Sequence, residues 1–184
     1  WLDRLTRSAR RCCLTLCTSE GAAVAIQSSQ PGLRAVVESF GTVEVSLPPT
    51  GQQRAEARSR LDLDDIPYGC MVGGWWPPKD IETVVRALQV MTTPIGIVVG
   101  GAPLDERLLG QLDAVLGDRL VVIPDQLDPQ QKAAIYHAVD FSLVSREPGA
   151  AKESGLIADA LRFRVPLVVS DHDKRLAAKI VFEP

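Results

Sequence analysis

From Pro67 onward, short apolar runs alternate with stretches of helical periodicity, and that alternation leaves few folds open. Tyr68 to Gly74 reads as a strand that ends in glycines, and Ile95 to Gly100 as a second strand. Between them, Asp80 to Met91 carries Ile81, Val84, Val85, Leu88 and Met91 at helical spacing. Leu104 to Leu116 repeats the helical pattern with Leu108, Leu109, Leu112, Val115 and Leu116. Leu120 to Ile123, Phe141 to Val144 and Pro166 to Ser170 read as three more strands. Pro129 to Val139 and Ser154 to Phe163 read as the helices between them, with Asp128 as N-cap and Pro129 at the first helical position. Strand and helix in turn imply a parallel sheet covered on both faces, with right-handed crossovers: an α/β, doubly wound sheet. Ligands of such sheets sit beyond the carboxyl ends of the strands, which directs attention to the loops after Gly74, Gly100, Ile123, Val144 and Ser170.

The first fifty residues are less regular. Leu2 to Leu16 reads as a helix, Ala22 to Gln27 as a strand, Leu33 to Phe40 as a short helix and Val43 to Leu47 as a strand. Leu47-Pro-Pro-Thr-Gly51 is a natural linker, and Gln52 to Leu61 a basic helix. The expected division is a partial N-terminal domain over 1–50 and a ligand-binding domain over 51–184, truncated at its C-terminus. A last helix is expected from Lys174. The chain opens at Trp1 with no charged leader before an apolar stretch, and reads as an internal piece of a longer protein.

Composition removes several function classes. A formal charge of -3 over 184 residues supplies no global positive field for nucleic acid. No run of about 18 apolar residues is present to span a bilayer. Cys12, Cys13, Cys17 and Cys70 follow no standard zinc spacing and only two His accompany them, so they read as reduced cysteines in a cytoplasmic protein, with no metal or cofactor. Arg4, Arg7, Arg10 and Arg11 cluster; either they form the solvated face of an amphipathic helix or they bring the protein peripherally to an anionic membrane.

Three constellations could carry chemistry. Gly73 and Gly74 allow close backbone approach, and Lys79 stands at the next helix start, where free N–H groups favour phosphate. Taken alone, such a pair is also what an ordinary turn and a solvated lysine look like. The loop Ser145 to Leu156 leads from a strand into a helix whose opening residues Ser154, Gly155 and Leu156 offer amides to an anion; a plain N-cap serine is the other reading. Asp159, one turn into that helix, is either a solvated first-turn acid or an acceptor for the hydroxyls of a sugar.

The segment Glu153-Ser-Gly-Leu-Ile-Ala-Asp-Ala-Leu-Arg-Phe-Arg-Val-Pro-Leu-Val-Val-Ser-Asp171 resembles the donor-site helix of retaining glycosyltransferases. The group is the glycogen-synthase-like one, often called family 4, with the GT-B fold. Met71 to Leu88, Ile97 to Gly101 and Ala134 to Phe141 are similar to its upstream elements in order and spacing, so the resemblance covers about residues 25 to 175. It implies a Rossmann-like C-terminal domain that binds a nucleoside-diphosphate sugar, and metal-independent hexosyl transfer with retention. It places Lys79 on the donor phosphates, Gly73 and Gly74 beside them, and Ser154, Gly155 and Leu156 at the helix start that meets the diphosphate. Asp159 takes the position of the second motif glutamate, on the ribose, and Gln126 and Leu127 border the nucleobase. The first motif glutamate falls at Ala151, which leaves Glu147 and Glu153 as candidates for its catalytic role. Trp75 and Trp76 stand where the group has an arginine, and Arg164 where it has a glycine. The acceptor, a sugar, a lipid or a small molecule, is not specified. A GT-B sugar-nucleotide epimerase and a non-catalytic glycosyltransferase-like binding module remain as alternatives, and a generic doubly wound sensor or regulator domain as a more distant one.

Overall fold

The computed structural model describes residues 15–17, 20–37, 46–76, 79–147 and 155–170. These fall in two compact units, one holding residues 15–37 and the other the residues from 46 onward.

The smaller unit is a strand–helix–strand element: β1 (Thr15–Cys17), α1 (Glu20–Ser29) and β2 (Ala35–Val37). The two strands pair in parallel, Thr15 opposite Ala35 and Cys17 opposite Val37. Here the expectations from sequence are overturned. Ala22 to Gln27 lies within α1 rather than in a strand. Its alanines are the strongest helix formers, and Glu20 in the first turn meets the positive end of the helix dipole. The expected helix over Leu33 to Phe40 contains β2 instead, where Val36 and Val37 favour the pleated surface. Of the helix expected over Leu2 to Leu16, Thr15 and Leu16 lie in β1 instead, and the rest falls outside the described residues. The strand expected over Val43 to Leu47 is absent at Ser46 and Leu47, while 43–45, like the helix expected from Lys174, lie outside the described residues.

The larger unit contains α2 (Gly51–Arg60), β3 (Tyr68–Val72), α3 (Ile81–Val90), β4 (Gly96–Gly100), α4 (Glu106–Leu116), β5 (Leu120–Ile123), α5 (Pro129–Ala138), β6 (Phe141–Val144), α6 (Gly155–Arg162) and β7 (Leu167–Val169). All five strands are parallel, in the order β5-β4-β3-β6-β7. The doubly wound sheet read from the sequence is the one observed. Alternate residues of the central strands feed two cores. Met71, Ile97 and Val99 pack under α3 and α4. Tyr68, Cys70, Val72 and Val98 pack under α5 and α6. Burial of both faces is why these strands read as continuous apolar runs.

Local signals set the helix ends. Asp80, Asp105 and Asp128 cap α3, α4 and α5 by accepting backbone N–H groups. Asp128 and Gln131 form a full capping box behind Pro129. At the end of α6, Val165 N–H donates to Ala160 O (2.9 Å) and Arg164 N–H to Leu161 O (3.1 Å), a Schellman closure. The residue at its left-handed position is Arg164, with φ +55°, where glycine would be free of strain. At the opposite edge of the sheet from the helix starts, Arg54 and Arg58 of α2 donate to Val139 O and Ala138 O, closing the C-terminus of α5. Asp140 accepts from Arg54 Nη2 (2.7 Å) and from the buried Tyr68 N–H (2.9 Å), which ties α2 to the start of β3.

Candidate functional site

β3 is followed in the sheet by β4 on one side and β6 on the other, so the strand order reverses between β3 and β6. The carboxyl ends of those two strands open a crevice, the position where doubly wound sheets hold ligands. At the end of β3 the backbone turns through Gly73 (φ +81°), whose N–H donates to Gly100 O at 2.7 Å. Gly74 lies so close to the next loop that a Cβ there would strike the Ala102 carbonyl. The chain returns at Lys79, and its ammonium donates to Val72 O and Gly73 O, both at 2.9 Å. Asp80 then starts α3, accepting from Thr83 N (3.0 Å) and Thr83 Oγ1 (2.7 Å). Its own N–H reaches Ser145 O at 3.4 Å, which joins this turn to the end of β6.

Lys79 is therefore not a solvated side chain. Burial pushes its ammonium down to about 8, and the charge of Arg146 acts in the same direction. Arg146 leaves the end of β6 and is fixed by its N–H on Ser170 Oγ, at 2.8 Å. The first turn of α6 closes the arrangement: a Cβ on Gly73 would lie 3.5 Å from Lys79 Nζ and 3.7 Å from Leu156 Cδ2. Lys79, Arg146, Trp75 and Leu156 thus line one crevice, with Met71 and Val144 behind them. Two cations and the opening of a helix meet at this crevice, an arrangement of the kind that suits a compact polyanion. Trp75 packs against the α3–α4 core, and its indole N–H is buried without a hydrogen-bond partner among the described residues. Trp76 is 64% exposed.

Of the remaining candidates, Asp159, Gln126, Leu127, Gly155 and Glu147 are not among the residues that line this crevice. Asp159 forms an ion pair with Lys132 of α5 at 3.0 Å. Leu127 turns inward after β5, joining the core beneath α5 and packing against Gly100, while Gln126 beside it is exposed. Gly155 opens α6 and is exposed, and Glu147 is exposed beyond the end of β6. Glu153, Ser154 and Ala151 lie outside the described residues, as do Cys12 and Cys13 and the arginine cluster at 4–11. Cys17 and Cys70 are free and buried. Among the described residues no group of three His, Cys, Asp or Glu could hold a metal, and no helix is long and apolar enough to cross a membrane. Two residues escaped the reading of the sequence. Arg146 follows a strand end in a loop already singled out, which was a usable signal. Lys132, on an unremarked helix surface, gave none.

No family model and no curated protein matches the chain. Solved structures do. HepE of Anabaena, crystallised with UDP and glucose, superposes with a TM-score of 0.76 at 14% identity, over 99% of this chain and 50% of its own. The fold is the Rossmann-like one of GT-B proteins. TarM of S. aureus, a mutant crystallised with fondaparinux, alpha-GlcNAc-glycerol and UDP, gives 0.64 at 9% identity over 94% of this chain and 32% of its own. An alpha,alpha-trehalose-phosphate synthase (UDP-forming) from Burkholderia vietnamiensis gives 0.58 at 9% identity over 95% and 49%. The chain spans half the length of HepE. At such identities these likenesses carry the architecture and not the activity.

Proposed function

We propose that this chain is the donor-binding part of a glycosyltransferase that moves a hexose from a nucleoside-diphosphate sugar to an acceptor, with retention and without a metal. The observation that carries the reading is the crevice at the strand-order reversal, where the half-buried Lys79 ammonium, Arg146 and the start of α6 converge. Breaking the bond between sugar and diphosphate leaves negative charge on the departing phosphate. Cations fixed in advance stabilise that charge without reorganising, which is how the site lowers the barrier. Lys79 keeps one N–H beyond the two given to Val72 O and Gly73 O, and Arg146 brings a planar fork that suits phosphate oxygens. Gly73, Gly74, Gly155 and Leu156 form the backbone floor, with Ser154 as the further donor at the helix start. Asp159 takes the ribose, Gln126 and Leu127 border the base, and Glu147 or Glu153 is assigned the catalytic role of the first motif glutamate. The structural neighbours support the reading because proteins of this architecture include one crystallised with UDP and glucose and a UDP-forming synthase. A membrane-peripheral cytoplasmic setting remains part of the proposal.

Calorimetric titration of the intact protein with UDP, GDP and ADP tests it. Micromolar to millimolar binding of at least one, weakened in Lys79→Met, is the expected result. No heat of binding from any of the three removes the donor reading.

A further inference from the structure

Helices α5 and α6 both begin at the carboxyl edge of the sheet, because each follows directly on a strand. Lys132 lies in the first turn of α5 and Asp159 just past the first turn of α6. The two side chains therefore meet about one helical turn from the edge at which the cations sit. Their bond is specific: Lys132 Nζ donates to Asp159 Oδ2 at 3.0 Å, with the side chains 36% and 23% exposed. An ion pair this accessible to water adds little to stability. It does arrange polar atoms. Among the described residues nothing donates to Asp159 Oδ1, and the ammonium has spent one of its three N–H groups. The pair thus presents an acceptor and a donor side by side. A vicinal diol needs that combination, since each of its hydroxyls both gives and takes a hydrogen bond.

We propose that Lys132 is a donor-binding residue, and that the Lys132–Asp159 pair holds the ribose diol of the nucleotide jointly. Asp159 Oδ1 accepts from one hydroxyl and the Lys132 ammonium donates to the other. The assignment rests on the donor reading above, which gave the ribose to Asp159 alone. It differs in consequence, because a carboxylate with one oxygen already engaged reads one hydroxyl through each partner.

The test takes whichever of UDP, GDP and ADP binds tightest, with its 2′-deoxy and 3′-deoxy analogues, against the wild type, Lys132→Met, Lys132→Arg and Asp159→Asn. The wild type should prefer the ribonucleotide over each analogue by roughly tenfold, the scale of one hydrogen bond to a charged group. Lys132→Met should erase the preference over one analogue and keep the other, while Lys132→Arg restores it. Asp159→Asn should weaken both preferences. Thermal melting should place all three variants close to the wild type, as a water-accessible pair requires. If Lys132→Met discriminates against both analogues as the wild type does, Lys132 is only an interhelical bridge and the proposal fails while the donor reading stands. If the wild type binds no diphosphate, both fall together.

Discussion

A half-buried lysine that has given up part of its affinity for the proton should advertise itself when an anion arrives. Lys79 rests at about 8, against an ordinary value of 10.5, because burial and the neighbouring Arg146 both disfavour its charge. At about pH 7 it is roughly nine-tenths charged, and at about pH 9 roughly one-tenth. A diphosphate placed against it supplies the missing opposite charge and drives the value back toward the ordinary range. The terminal phosphate, with a second pKa near ~6, is dianionic throughout that interval, and arginine does not titrate in it. Binding should therefore weaken about tenfold between pH 7 and pH 9, roughly 1.4 kcal/mol, and should take up about half a proton per site near pH 8. Titration calorimetry in buffers of different ionisation enthalpy measures that uptake directly. Lys79→Arg should bind with no pH dependence and no uptake, and Lys79→Met should bind weakly at every pH. Affinity that stays flat from pH 7 to pH 9 in the wild type, with no dependence on buffer, would refute the claim that this ammonium meets the phosphates.

Four further outcomes follow from packing. Gly73→Ala should cost about 1–2 kcal/mol in urea unfolding, because its left-handed φ of +81° is strained for any residue with a Cβ, and should also weaken diphosphate binding through the displaced Val72 and Gly73 carbonyls. Arg164→Gly should move stability the other way, raising it by up to about 1 kcal/mol, since the Schellman position already has the left-handed backbone that glycine prefers; a loss on chemical unfolding would contradict this. Asp140→Ala should destabilise by about 1–3 kcal/mol, because it leaves the buried Tyr68 N–H without an acceptor and releases Arg54. The Cys70 thiol, fully buried and pushed up to about 12, should stay unlabelled by maleimide in the native protein and react only on unfolding, as read by mass spectrometry of its peptide.

The sheet and its helices were legible because each signal was local. The apolar stripe of Asp80 to Met91, the Asp128–Pro129 start and the doubly buried strands each act within a dozen residues, and nothing in the tertiary structure competes with them. The smaller unit was misread for the converse reason. Gly21 to Ile26 is apolar without a clear period, so the pattern alone did not separate a buried helix from a strand, and the alanine content decides it. The candidate site divides along the same line. Gly73, Lys79 and Asp159 belong to segments whose residue order is itself informative. Arg146 and Lys132 matter through partners 67 and 27 residues away, Lys79 and Asp159, and they meet those partners only because the strand order reverses between β3 and β6 and because α5 lies beside α6. Sequence can nominate an anion site from a glycine turn and a lysine. Whether that lysine stands alone or beside a second cation depends on which strand is the neighbour, and that choice is made by the whole sheet. The share of the Lys79 shift that Arg146 adds to that of burial is thus a property of topology. A chain with the same loops on a sheet that did not reverse there would keep the lysine and the effect of its burial, and lose the share that Arg146 adds.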